Sequence, residues 1–146
     1  MKKQAYLIIT GIIFVTVAGL STAKAQTNGN PKIVANIPFA FSIGEEFMPA
    51  GEYTVRCVNP ESPAKVLQIR SQNGNRSALV RTNSVIGRTQ DKARLVFYRY
   101  GDQFFFAQAW LPGDDTGMQA PRSQSEKVRK LAREKRATET VMARRQ

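Results

Sequence analysis

No histidine occurs in the 146-residue chain, and Cys57 is its only cysteine. The first absence removes Ser-His-Asp and Cys-His catalysis, histidine-ligated zinc and imidazole acid–base chemistry. The second removes an internal disulfide and any cysteine-only zinc site, so packing must hold the fold together. Acids are also scarce: 11 Asp and Glu stand against 22 Lys and Arg, a formal net charge of +11. Two acidic pairs occur, Glu45-Glu46 and Asp114-Asp115. Neither alone supplies the roughly six oxygens that Ca²⁺ takes. No catalytic residue, metal site or cofactor is predicted, and the chain reads as non-enzymatic.

The chain opens with Lys2 and Lys3, then an uncharged apolar run from Tyr6 to Leu20, then Ala23-Lys24-Ala25. A charged start, a short apolar stretch and small residues at a cleavage site predict a signal peptide over residues 1–25, cut near Ala25. The alternative is a membrane anchor, for which the run falls short of the ~20 residues that span a bilayer. The expected location is extracytoplasmic, periplasmic or secreted.

Charge is uneven along the rest. Residues 120–146 hold nine Lys and Arg against three Glu, while the body before them is close to neutral. The expected organisation is a β domain over 26–118 and a basic amphipathic helix or tail over 119–146. Ser123 followed by Glu126 predicts a capping box. The helix it opens, "SQSEKVRKLAREKR", would place Val128, Leu131 and Ala132 on one face. "ATETVMARRQ" contains weaker helix formers and is expected to fray.

The body reads as strands. Phe39, Phe41 and Ile43 alternate with Ala40 and Ser42, and Tyr53, Val55 and Cys57 share a face in "YTVRCV". Cys57 is expected to be a buried core thiol. Asn73-Gly74 predicts a type I′ hairpin that pairs Ile69 with Ala78 and Leu67 with Val80. A second hairpin turns at Gly101-Asp102. It pairs Tyr98 with Phe105 and Val96 with Ala107 on one face, and Arg99 with Phe104 and Phe97 with Phe106 on the other. Trp110 falls on the Phe97 face. Both faces carry aromatic residues, so both are expected to be covered, one by the core and one by the helix or by a partner. "LPGDDTGMQAP" reads as a loop. The predicted fold is all-β, a small antiparallel sandwich of six to eight strands with one C-terminal helix; a partly open barrel is the alternative.

Three stretches, "PFAFSIGEEFMPAGEYTV", "LVFYRYGDQFFFAQAW" and the Ser-x-x-Glu segment after them, together resemble a group of small exported acidobacterial proteins. The resemblance spans nearly all of the chain beyond the leader. That group has no assigned activity, so the resemblance implies no functional residue. Gly51-Glu52-Tyr53-Thr54-Val55 is similar to a strand of prealbumin-like and other immunoglobulin-like modules, where a tyrosine often closes a corner of the sandwich.

Two surfaces are candidates for function. Phe97, Arg99, Phe104, Phe106 and Trp110 would form an interaction face for a protein or a sugar if they are not core. Nucleic acid is not expected, because the body lacks the net basicity that accompanies stacking platforms. Lys127, Arg129, Lys130, Arg133, Lys135 and Arg136 would meet an anionic surface such as lipid, lipopolysaccharide or acidic polymer, unless they form only a solvated face with Val128 and Leu131 laid on the sheet. The expected role is a binding or structural module of the cell envelope. Its partner, an unknown protein or envelope component, and its oligomeric state do not follow from the sequence.

Overall fold

The computed structural model describes residues 31–146. The expected signal peptide lies outside these residues. Among the described residues the chain folds as two mainly antiparallel sheets packed face to face, an all-β sandwich with one short helix and no closed barrel. The first sheet contains β1 (Lys32–Ile37), β4 (Gly51–Cys57), β5 (Val66–Ser71), β6 (Ser77–Arg81) and β12 (Arg144–Arg145) in the order β12-β1-β4-β5-β6. The second contains β7 (Asn83–Ile86), β8 (Arg94–Tyr100), β9 (Gln103–Trp110), β10 (Thr116–Gln119) and β11 (Arg136–Met142) in the order β11-β8-β9-β10-β7. Short β2 (Phe41–Ile43) pairs with β3 (Glu46–Met48) and, in parallel, with β9. Helix α1 spans Gln124–Leu131.

Strands outnumber the expected six to eight. β2 and β3 are too short for an alternating pattern to be counted, and β10 lies inside the stretch that reads as a loop. The tail supplies two more. Arg136, expected to end the helix, and residues 137–142, expected to fray from it, pair with all of β8, from Arg136 opposite Tyr100 to Met142 opposite Arg94. The chain then crosses to the other sheet, where Arg144 and Arg145 pair with Val34 and Ile33 of β1. The alternation Ala137, Glu139, Val141 half-buried against exposed Thr138, Thr140 and Met142 is a strand period. β-branched threonine and valine favour that conformation.

Both hairpins hold their expected pairs near the turn. Ile69 faces Ala78 and Leu67 faces Val80. The turn itself differs. Only Gly74 of the Asn73-Gly74 pair has positive φ, at 75°, and its N–H donates to the Ser71 carbonyl at 2.9 Å. That rules out type I′, which needs two positive φ values. The loop is instead a four-residue connection closed by the Ser71 N–H on the Arg76 carbonyl at 2.9 Å. At the other hairpin Gly101 has φ 60° while Asp102 stays negative, the φ pattern of a II′ turn.

The β8–β9 register shifts between Val96 and Phe97. Phe97 faces Phe106, but Val96 faces Gln108 and Leu95 faces Ala109, so Ala107 is an extra residue on β9. This bulge corrects the expected faces. Trp110 leaves the Phe97 side and joins Val96, Ala107, Val85 and Tyr98 on the outer face. The inner face keeps Leu95, Phe97, Phe106 and Ala109 in the main core. Phe97 is its hub. Phe39, Phe41 and Phe106 meet its ring edge-on at centroid distances of 5.2, 5.2 and 5.8 Å. Cys57 is buried in the same core, as expected, and its thiol meets the Asn59 Oδ1 at 3.9 Å. The Tyr53 hydroxyl donates to the Pro49 carbonyl at 2.6 Å, tying the start of β4 to the turn before it.

Outer Trp110 lies flat on backbone. A Cβ added to Gly117 would sit 2.7 Å from the indole, and one on Gly87 2.5 Å from it. Glycine here makes room rather than turns. Gly117→Ala is therefore expected to destabilise the fold by about 1–3 kcal/mol through overpacking. A lower urea midpoint and a shifted Trp110 emission would register it, and Trp110→Phe should recover part of the loss.

Candidate functional site

Helix α1 meets the second sheet through Glu126 and Tyr100, not by its apolar side. Val128 and Leu131, expected to lie on the sheet, are 63% and 82% exposed. The helix residue that is buried is Glu126, 3% exposed. Its Oε1 accepts from the Tyr100 hydroxyl and from Arg122 Nε, each at 3.2 Å. A buried carboxylate requires such partners, since leaving it unpaired is costly. Burial, and then the facing carboxylate, push the Tyr100 hydroxyl above its usual value.

The helix start is capped from two sides. Ser123 Oγ accepts from the Glu126 N–H at 3.1 Å, the first half of the expected capping box. The reciprocal half is replaced, because the Glu126 side chain turns to Tyr100. Glu45, in the β2–β3 turn, supplies the second cap: its carboxylate accepts from the Gln124 N–H and the Ser125 hydroxyl, both at 2.8 Å. A carboxylate at a helix N-terminus satisfies free N–H groups and opposes the dipole. At the other end Arg133 takes a left-handed φ of 58°, the conformation that ends helices. The helix therefore stops at Leu131 rather than running to Arg136.

Between α1 and the sheet lies a groove of about 570 Å³. Tyr98 and Ala107 of the outer face line it, with the core residues Phe106 and Ala120 bordering it; Asn83 and Gln119 add amides, and Arg122, Lys127, Lys130 and Leu131 form the helix side. Lys127, Lys130 and Leu131 line one side of the helix because residues three and four apart are neighbours. The sole carboxylate among the lining residues is Glu126, already engaged by Tyr100 and Arg122.

The residues predicted from sequence separate. Phe97, Phe106 and Trp110 are buried at 0%, 4% and 4% exposure. Phe104 is half-buried and stacks on Phe39 at 3.9 Å. Arg99, of the same candidate face, is exposed and pairs with Glu139 at 3.4 Å. The five do not form one open surface. Of the six tail cations, Lys127 and Lys130 reach the groove. Arg129 pairs with Glu134 at 3.0 Å, Arg133 occupies the helix-ending turn, and Lys135 is exposed in the link to β11. Arg136, on β11, lies over the Tyr98 ring at 4.5 Å. Arg122 and Tyr98 escape sequence reasoning. Arg122 stands four residues before Glu126, a spacing that signals an ion pair, whereas the position of Tyr98 under the groove depends on where the helix lands.

No family model, curated protein or solved structure matches this chain.

The two hydrogen bonds to Glu45, from the Ser125 hydroxyl first and the Gln124 N–H second, hold its carboxyl below the usual value. A folded-state value below the unfolded one, about 4.3 for glutamate, contributes stability above that pH and loses it as pH falls through the folded value. Glu45→Gln is therefore expected to be less stable than the parent near neutrality. The difference should close as pH drops below about 4. Urea midpoints measured from acid to neutral pH check this.

Proposed function

We propose that this chain is an exported, non-enzymatic binding module of the cell envelope, and that its groove takes a small amphipathic carboxylate with an acyl chain. One observation carries the reading: apolar Tyr98 and Ala107 lie in one groove with the cations Lys127 and Lys130, while Arg122 is paired with Glu126. Binding sites are commonly of this size, mostly apolar with a few placed polar groups. An acyl chain suits Tyr98, Ala107 and the exposed side chain of Leu131, and a carboxylate suits the lysines. A binding rather than catalytic role is supported by the lining. It holds no serine, threonine or cysteine, and its one carboxylate is already engaged.

The broader reading, a tail that adheres to anionic surfaces, is less well supported. Arg129, Arg133 and Arg136 have structural partners or positions, so the tail is not a uniform basic strip. Deleting the tail is also a poor test, because it strips β11 from β8 and exposes a strand edge.

Point variants on the exposed helix side avoid that problem. Calorimetric titration with laurate should show saturable binding. Lys127→Gln with Lys130→Gln should weaken it by about tenfold or more, the scale of a lost charge-assisted contact. Leu131→Asp should weaken it as well. No laurate binding, or binding indifferent to all three substitutions, would overturn the reading.

A further inference from the structure

The near-neutral body is not neutral on every side. β-strand alternation places Lys32, Thr54, Arg56, Gln68, Arg70, Ser77, Leu79 and Arg81 on the outer face of the first sheet. The register sets these into rows. Lys32 stands opposite Arg56, and Arg56 opposite Gln68. In the next row Arg144 faces Val34, Val34 faces Thr54, and Thr54 faces Arg70. Arg81 faces Val66 on the outermost pair. The one acid at an outward position of these strands, Glu52, is taken by Arg144 at 3.4 Å. Lys32, Arg56, Arg70 and Arg81 are exposed, and no acid answers them across the rows.

The face is also shaped. Lys32, Thr54, Arg56, Gln68, Arg70 and Gln72 line a shallow depression of about 350 Å³. Arg56 Nε donates to the Gln68 Oε1 at 2.7 Å, which fixes the plane of its guanidinium. The Arg70 side chain reaches toward the hairpin turn, its Nη2 3.2 Å from where a Gly74 Cβ would be. Arg56 is thus tied to a polar floor, and exposed Arg70 stands one strand away.

We propose that this face binds an acidic polysaccharide, one bearing carboxylates along its length. Neighbouring strands are about 4.8 Å apart, so the cations spread over several strand widths. A single small anion cannot span from Lys32 to Arg81, whereas a chain carrying repeated charge can. Guanidinium forks grip carboxylates in a bidentate manner. Thr54, Gln68 and Gln72 between them offer donors and acceptors to hydroxyl groups. The outward positions include no aromatic ring, which removes the stacking that single-stranded nucleic acid uses. They include one exposed apolar side chain, Leu79, too little to anchor the face in a bilayer. The inference is independent of the groove, which lies on the other sheet.

Titration of the chain with polygalacturonate tests it, with neutral dextran, a single-stranded DNA oligonucleotide and phosphatidylglycerol vesicles as comparisons. Polygalacturonate should bind in a salt-sensitive manner, and dextran should not. Arg56→Gln with Arg70→Gln should weaken binding about tenfold or more and leave the thermal unfolding curve in place. Lys127→Gln with Lys130→Gln should leave polygalacturonate binding unchanged. Absence of binding, binding unaffected by the arginine substitutions, or tighter binding to the oligonucleotide or the vesicles through the same arginines would overturn the proposal.

Discussion

One inserted residue on β9 decides how both faces of the second sheet are packed. Without the bulge at Ala107, strict alternation would put Trp110 with Phe97 in the core. With it, Ala109 faces Leu95 and the indole goes to the outer side. The extra residue is not left unsatisfied: the Ala107 carbonyl accepts from the Ala120 N–H at 2.8 Å. That bond also fixes where the chain leaves β10 and heads for the helix. The bulge therefore provides the inner aromatic hub, the outer tryptophan cluster and the landing site of α1 together. Bulges redirect side chains in this way wherever one strand carries one residue more than its neighbour.

The helix is held by polar contacts where the sequence suggests apolar ones. Its apolar residues are few, and Val128 and Leu131 remain in solvent. Glu126 in its first turn is buried against Tyr100 and Arg122, and Glu45 caps its start from a turn about 80 residues earlier. A helix of eight residues is too short to be stable alone, so these long-range bonds account for its placement. These bonds are made at its first turn, and Val128 and Leu131 farther along are exposed. The space beneath the helix is the groove.

Local signals in the sequence are strong where pairing partners are close in the chain. The pairs Ile69–Ala78 and Phe97–Phe106 follow from turn positions and period alone. Turn type does not follow, since Asn73 keeps negative φ and the loop is wider than two residues. The tail resists a local reading because "ATETVMARRQ" follows a strongly helical stretch and its pattern of threonines has no nearby partner. Its partner is β8, some forty residues away, and only that pairing makes the alternation meaningful. In one dimension the aromatic run poses a choice between surface and core. In the fold Phe97 and Phe106 are core on one side, and Trp110 packs on glycine backbone on the other. The glycines that permit this, Gly87 and Gly117, give no sign of their role in the sequence.

The same limit applies to charge. Summing along the chain makes the body nearly neutral and the tail basic, yet both descriptions dissolve once the strands are paired. In the tail, Arg122, Arg129 and Arg144 are bonded to glutamates. In the body, the acids sit mainly in turns and loops, as do Glu45, Asp102 and Asp114-Asp115, while Lys32, Arg56, Arg70 and Arg81 occupy outward strand positions of one sheet. Because side chains two apart on a strand share a face, and register aligns those positions across strands, a few cations at the right parity produce a coherent positive surface. A total charge near zero says nothing against it. What matters for attracting a polyanion is the local arrangement over distances shorter than the screening length, about 8 Å at physiological salt, and adjacent rows of this sheet lie within that range.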